Sequence, residues 1–250
     1  MASVTPPQTT AGPSAAPRTL DRREGPYGEV VLRQRAGSPA GPDAPAAPVI
    51  YEIIANGCFL MDTSDGRSER LLIDAALEGL PADRERPSVL IGGLGVGFSL
   101  ARAAEQPRWG RITVVEREVA VIDWHRTGPL SAVSAAALAD PRCTVLHTDL
   151  VAHLRGGTGP RSTYDALCLD IDNGPDWTVT DDNGSLYSPT GLAACRDRLS
   201  PGGVLAVWSA QPSPAFEAAL RNAGFSEVRT EEIPVVRGVP DVVHLARKGA

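Results

Sequence analysis

The pattern of apolar and polar positions changes character twice along the 250 residues. Residues 1–26 are rich in Pro, Thr, Ala and Gly and show no hydrophobic period. Such a stretch cannot bury enough surface to offset the entropy of ordering it, so a disordered tail is expected there. Three short runs with strand character follow, at 28–35 (GEVVLRQR), 49–55 (VIYEIIA) and 58–62 (CFLMD). The last two are joined by Asn56 and Gly57, a pair that supplies the positive φ angles of a two-residue hairpin. Residues 36–48 read as a flexible hairpin loop, and 27–68 as a small antiparallel sheet.

From residue 69 onward helical spacing alternates with continuous apolar runs, the signature of parallel strands buried on both faces. A helix is predicted over 69–80, then strands at 88–91, 111–115, 143–147, 166–170 and 204–208 with helical segments between them. A helix at 214–223 and strands at 226–233 and 241–246 close the chain. The fold class is therefore α/β, with a doubly wound sheet over 69–250. Open sheets of this kind bind ligands beyond the carboxyl ends of their strands.

Candidate chemistry gathers at those ends. The strand 88–91 runs into Gly92-Gly93-Leu94-Gly95-Val96-Gly97 and then an apolar helix from Phe98. Glycines there let the chain turn sharply and bring backbone close to a ligand, although glycine also simply tightens a strand-to-helix turn. Glu116 ends the next strand, 19 residues after Gly97, where a carboxylate can accept both hydroxyls of a ribose. The dinucleotide pattern G-x-G-x-x-G would need glycine at Phe98 or at Leu100, so a nucleoside suits the turn better than NAD or FAD. Asp149, with Leu150 beside it, suits an adenine amino group or else caps the helix 150–154. Asp170 is placed at the reacting end. Asp172 shares its face if the strand continues past Ile171, or else orders the turn Asn173-Gly174-Pro175. The polar segment 173–187, with Asn173, Trp177, Asp181, Asp182, Asn183 and Tyr187, reads either as an acceptor-covering lid suited to an amine or as a solvated loop anchored by an aromatic. Trp208 closes the fifth strand and either lines the acceptor pocket or packs the core.

Charge and cysteine usage narrow the classes. A net charge of -6 gives no help to phosphate-backbone binding, which excludes nucleic acid as the expected partner. Four widely spaced cysteines without a C-x-x-C pattern read as buried free thiols; no metal site is visible, and His125 and His147 read as structural. The N-terminus lacks the apolar core of a signal peptide and no run reaches membrane-spanning length, so a cytoplasmic protein without a membrane partner is expected.

Together these residues resemble the spermidine synthase family of class I S-adenosylmethionine-dependent transferases, from about Gly28 to the C-terminus. The resemblance rests on Gly92-Gly93-Leu94-Gly95, Glu116, Asp140-Pro141-Arg142, Asp149, the segment 164–175 (YDALCLDIDNGP) and the segment 199–204 (LSPGGV). It implies a Rossmann-like doubly wound seven-stranded sheet preceded by a small N-terminal antiparallel β-sheet, and a homodimer. It also implies S-adenosylmethionine or its decarboxylated form as cofactor, with a small-molecule acceptor. The sequence departs from the family in three places. Leu94 stands where those synthases hold an aspartate for the donor's amine, Asn173 stands for a second acid, and of the sheet-to-helix motif only Glu69 survives. Losing an acid at 94 should make intact S-adenosylmethionine more acceptable. The expected function is accordingly a group transfer from S-adenosylmethionine, methyl transfer first and 3-amino-3-carboxypropyl transfer second. The alternatives are aminopropyl transfer from decarboxylated S-adenosylmethionine to a polyamine, and a non-catalytic cofactor-binding paralogue. The expected cofactor residues are Gly92, Gly93, Leu94, Gly95, Gly97, Glu116, Asp149, Leu150 and Asp170. Asp170 and Asp172 are the expected catalytic pair, and Glu69, Asn173, Trp177, Tyr187 and Trp208 the acceptor residues.

Overall fold

The computed structural model describes residues 16–38, 47–156, 162–178, 181–235 and 239–249. A four-stranded antiparallel sheet comes first, in the order β1 (Arg18–Gly25), β2 (Gly28–Ala36), β3 (Val49–Ala55), β4 (Cys58–Asp62). β1 corrects the expected tail, which was to run to residue 26. Its sequence, RTLDRREG, has no hydrophobic period because it is an edge strand exposed along most of its length. Order comes instead from the ladder to β2 and from two tethers to the main domain. The Trp124 indole donates to Asp21 at 2.8 Å, and Arg23 pairs with Asp123 at 2.7 Å. Asn56 and Gly57 adopt φ of 51° and 78°, the two positive angles the β3–β4 hairpin requires. The Asn56 side chain also accepts from the Glu29 N–H and donates to the Tyr27 carbonyl, which ties this hairpin to the β1–β2 turn. The loop expected over 36–48 lies largely outside the described residues.

The main sheet has seven strands: β5 (Ser88–Gly92), β6 (Arg111–Glu116), β7 (Cys143–His147), β8 (Tyr164–Leu169), β9 (Leu199–Ser209), β10 (Phe225–Ile233) and β11 (Asp241–Lys248). Their order is β10-β11-β9-β8-β5-β6-β7, parallel from β9 to β7, with β11 antiparallel to both its neighbours. The apolar runs are continuous because alternate residues serve two separate cores. Val89, Ile91, Ala166, Cys168, Val204 and Ala206 pack on one face with α1 (Arg67–Glu78), α2 (Phe98–Glu105), α3 (Val119–Arg126) and α4 (Ser131–Leu138). Leu90, Leu167, Leu169, Leu205 and Val207 pack on the other with α5 (Leu150–Arg155), α6 (Asp181–Tyr187), α7 (Pro189–Arg198) and α8 (Pro214–Asn222). Every one of these strand residues is fully or nearly fully buried, so a polar substitution on either face leaves a group without water or partner.

The chain turns back at β5: connections run from it to β6 and β7 on one side and to β8 and β9 on the other. That reversal opens a crevice at the carboxyl ends. Register aligns the rim, since Gly92 stands opposite both Val115 and Leu169, and the Asp170 N–H donates to the Gly92 carbonyl at 3.0 Å. Of the cysteines, Cys168 and Cys195 are buried thiols as expected; Cys58 is exposed on β4. Among the described residues no helix is long and apolar enough to cross a membrane.

Candidate active site

The turn from β5 to α2 needs its glycines on two counts. Gly93 and Gly95 have φ of 89° and 50°, and a Cβ at Gly93 would run into the Asp170 carbonyl while one at Gly95 would run into the Met61 sulfur. The turn is held from below by His125, whose Nε2 meets the Gly95 carbonyl at 2.9 Å and whose Nδ1 meets the Ser134 hydroxyl at 2.7 Å. Burial lowers the His125 pKa, so the imidazole is neutral and structural, as expected.

Glu116 is buried at the end of β6. One of its oxygens accepts from the Leu94 N–H at 2.9 Å and the other from the Glu118 N–H at 2.8 Å. Burial raises its pKa and these backbone donors oppose the rise. Each oxygen keeps a further lone pair, so a carboxylate fixed in this way can still accept a pair of hydroxyls. Asp149 does what its alternative reading required: it caps α5, accepting the Ala152 N–H at 2.7 Å. The same residue, with Leu150, lines the cleft.

The cleft has a volume of about 450 Å³ and runs from Glu116 and Asp149 past Gly93 and Gly95 to Asp170 and Asp241. Of its lining side chains among the described residues, ten are carboxylates and one, Arg117, is cationic. Crowding of like charge shows at the acceptor end. Burial, and then the charge of Asp241, push Asp170 up from 3.8 to about 7. Burial, and then the charge of Asp170, push Glu69 up from 4.5 to about 8. Two carboxyls so placed hold a proton between them near neutral pH. Asp241 is itself raised by burial and accepts from the Ser68 hydroxyl at 2.9 Å.

β8 ends at Leu169, so Asp170 and Asp172 do not extend a strand, yet both line the cleft. Asp172 accepts from the Asn183 amide at 2.9 Å and from the Asn173 N–H at 3.1 Å, which makes it the organiser of its turn. Glu69, Asn173, Trp177 and Trp208 line the cleft as expected, Trp177 at its open side with 57% of its surface exposed.

No family model matches the chain. A polyamine aminopropyltransferase of Mycobacterium tuberculosis (strain CDC 1551 / Oshkosh) is 31% identical over 184 residues, which cover 66% of this chain and 34% of the relative. A polyamine aminopropyltransferase of Corynebacterium efficiens is 30% identical over 178 residues, covering 65% and 33%. The chain thus spans about a third of the length of the curated relatives it matches. Among solved structures, a spermidine synthase in complex with the transition-state analogue AdoDATO superposes with a TM-score of 0.71 at 18% identity, over 93% of this chain and 74% of that one. The chain is thus similar in sequence to polyamine aminopropyltransferases over about two thirds of its length and shares the fold of that spermidine synthase. An N-methyltransferase, NodS of Bradyrhizobium japonicum WM9, shares the fold more distantly, with a TM-score of 0.52 at 15% identity over 75% of this chain and all of that one. The fold is accordingly the Rossmann-like α/β one expected, a seven-stranded sheet preceded by a separate antiparallel sheet.

Four expected site residues are not on the cleft wall. Leu94 is 4% exposed, with its side chain packed in the first core; only its N–H serves the site, through Glu116. Gly92 and Gly97 shape the turn from behind, where a Cβ would meet Leu150 and His125. Tyr187 stands edge-on to Phe216, ring centroids 5.6 Å apart, against the second core, because the segment read as a lid folds in part into α6. The side chains of Asp181 and Asp182 lie outside the described residues. Sequence reasoning missed Asp241, Tyr27, Met61 and Arg117. The antiparallel pairing of Val242 with Ser209 carries Asp241 to the rim, a consequence of the reversed last strand that pattern alone could have exposed. Tyr27 lies under the Arg117 guanidinium at 4.4 Å, and the Met61 sulfur accepts from the Val96 N–H at 3.2 Å. Both come from the small sheet, and no local motif marks them.

Proposed function

We propose that the chain transfers an aminopropyl group from decarboxylated S-adenosylmethionine to an amine acceptor. The charge of the cleft carries this reading: of its ten lining carboxyls among the described residues, Glu29, Asp62, Asp65 and Glu118 are paired to arginines, and the lining stays acidic around Glu116, Asp149, Asp170 and Asp241. A sulfonium with a primary ammonium tail is wholly cationic at neutral pH, as is a polyamine, and both are drawn to such a field. Intact S-adenosylmethionine would bring a carboxylate into it. The contrary expectation rested on Leu94, whose side chain is turned into the core.

The donor set fits a nucleoside sulfonium: Glu116 for the ribose hydroxyls, Asp149 for the adenine amino group, and open backbone at Gly93 and Gly95. When bound, such a cofactor supplies a carbon already activated for displacement, with a neutral thioether as leaving group. The remaining work belongs to the chain. An acceptor amine is protonated in water and must lose a proton before its lone pair can attack; Asp170, raised toward neutrality beside Glu69, is placed to take it. With the donor bound, that lone pair would form the C–N bond as the C–S bond broke, and the electron pair of the C–S bond would go to sulfur. Asp172 fixes the turn that presents Asp170, and Trp177 and Trp208 offer apolar walls to the methylenes of an acceptor.

Calorimetry with the intact and decarboxylated cofactors, followed by product analysis with putrescine and longer polyamines, tests the proposal. Tighter binding of the decarboxylated form and an elongated polyamine are expected. Preference for the intact form, or no product from any amine, would overturn it. The second reading, methyl or 3-amino-3-carboxypropyl transfer, is favoured by one observation: Leu94 and Asn173 are uncharged where the resemblance places acids. It predicts the opposite order of affinities.

A further inference from the structure

The reach of Met61 across the glycine turn is not explained by packing alone. Met61 belongs to β4 of the small sheet, yet its sulfur accepts the Val96 N–H at 3.2 Å, stands where a Cβ on Gly95 would be, and lines the cleft. An amino-acid carboxylate bound beside the turn would need N–H donors or a cation. Four donors of the turn are spoken for: Gly93 N–H goes to the Val115 carbonyl, Leu94 N–H to Glu116, Val96 N–H to Met61, and Gly97 N–H to the Leu94 carbonyl. The cation is engaged elsewhere, since Arg117 is stacked on Tyr27 and lies 3.7 Å from Glu118. A thioether is a weak acceptor without charge, so it satisfies an N–H and fills space while offering nothing to an anion.

We infer that Met61 is a specificity-determining residue for the donor, its sulfur occupying the Val96 N–H and the space beside Gly95 and thereby excluding the carboxylate of an intact amino-acid tail. The inference rests on the donor proposed above. Backbone and Glu116 take the Gly93, Leu94 and Gly97 N–H groups as part of the fold, whereas Met61 is a single side chain brought in from a second sheet. It can therefore be changed without unmaking the turn. An uncharged selector also explains how the site can discriminate with Leu94 turned away from the cleft, because exclusion of a wrong ligand needs only blocked donors and occupied volume.

The test is isothermal titration of the full chain and its Met61→Ala and Met61→Leu variants with intact and with decarboxylated S-adenosylmethionine. In the parent chain the decarboxylated form binds more tightly. Met61→Ala frees the N–H and the space, and should tighten the intact form about tenfold relative to the decarboxylated one. Met61→Leu frees the N–H and keeps the bulk, so a smaller gain, about threefold, is expected. An unchanged ratio in a cooperatively folded Met61→Ala overturns the inference and leaves the proposed donor standing. A parent chain that prefers the intact form sinks the donor proposal itself. Should Met61→Ala fail to fold, Met61→Leu decides: a gain supports the role of Met61 and no gain overturns it.

Discussion

Replacing Asp170 by asparagine should stabilise the ligand-free protein while disabling it. Its carboxyl is pushed up from 3.8 to about 7, by burial first and by the Asp241 charge second. Because the folded-state value is the higher one, the folded chain holds a proton that the unfolded chain gives up between those two values. Stability from this group is therefore full below about pH 4 and is lost as pH rises through about 7. At ~1.4 kcal/mol per pH unit a rise from 3.8 to about 7 corresponds to about 4 kcal/mol as an upper bound. Solvent reaches Asp170 in the cleft and Glu69 shares the proton, so about 2 kcal/mol is the working figure. For a chain of this size that raises Tm by roughly 4–8 °C at pH 8, and less at pH 5. Carboxyls held low, such as Asp165 beside Arg84 and Ser200, act in the opposite sense and below pH 4, outside this window. The assay is thermal unfolding by circular dichroism at pH 5 and pH 8, beside turnover with an amine acceptor. Turnover should fall by about 10²–10⁴ if Asp170 takes the proton. Equal Tm values at pH 8, or a Tm advantage of the asparagine variant that does not grow between pH 5 and 8, would refute the reasoning; the difference is used because His125, His153 and His244, lowered by burial, stabilise both chains as pH rises.

Three further substitutions probe the rest of the cleft. Glu116→Ala should abolish measurable cofactor binding by calorimetry, because it removes the ribose acceptor and strands the Leu94 and Glu118 N–H groups; unchanged affinity would contradict the assignment. Asp149→Asn keeps the cap on α5, so unfolding stability should stay within about 1 kcal/mol while cofactor affinity drops about tenfold; a fall in stability alone would make Asp149 only a cap. Tyr187→Phe preserves the packing against Phe216 and should leave KM for the acceptor unchanged, whereas a rise in KM would return Tyr187 to the cleft.

The main sheet was legible because its strands are buried on both faces, and the glycine turn and Glu116 were legible because their spacing follows from strand register. Side-chain direction was not. Leu94 sits between glycines at φ of 89° and 50°, and nothing in the spacing says that such a turn aims its one large side chain inward. Tyr187 was misplaced because a polar segment hid a helix whose burial rests on only a few residues, Leu186 among them. β1 escaped notice because its order is bought by edge pairing and two tethers rather than by apolar burial. Asp241 and Met61 reach the site from elements distant in sequence, which only the assembled topology reveals.

The tethering of β1 bears on where the chain can be cut. Composition invites trimming at residue 26, yet that cut would remove the strand that pairs with β2 and the Asp21 and Arg23 anchors on α3. Tyr27, at the tip of that hairpin, would lose its support, and with it one wall of the cleft. A boundary drawn between the two sheets therefore separates folding elements without separating functions. A shortened chain could keep a well-formed parallel sheet and still bind its ligand poorly, an outcome easily mistaken for the absence of a binding site.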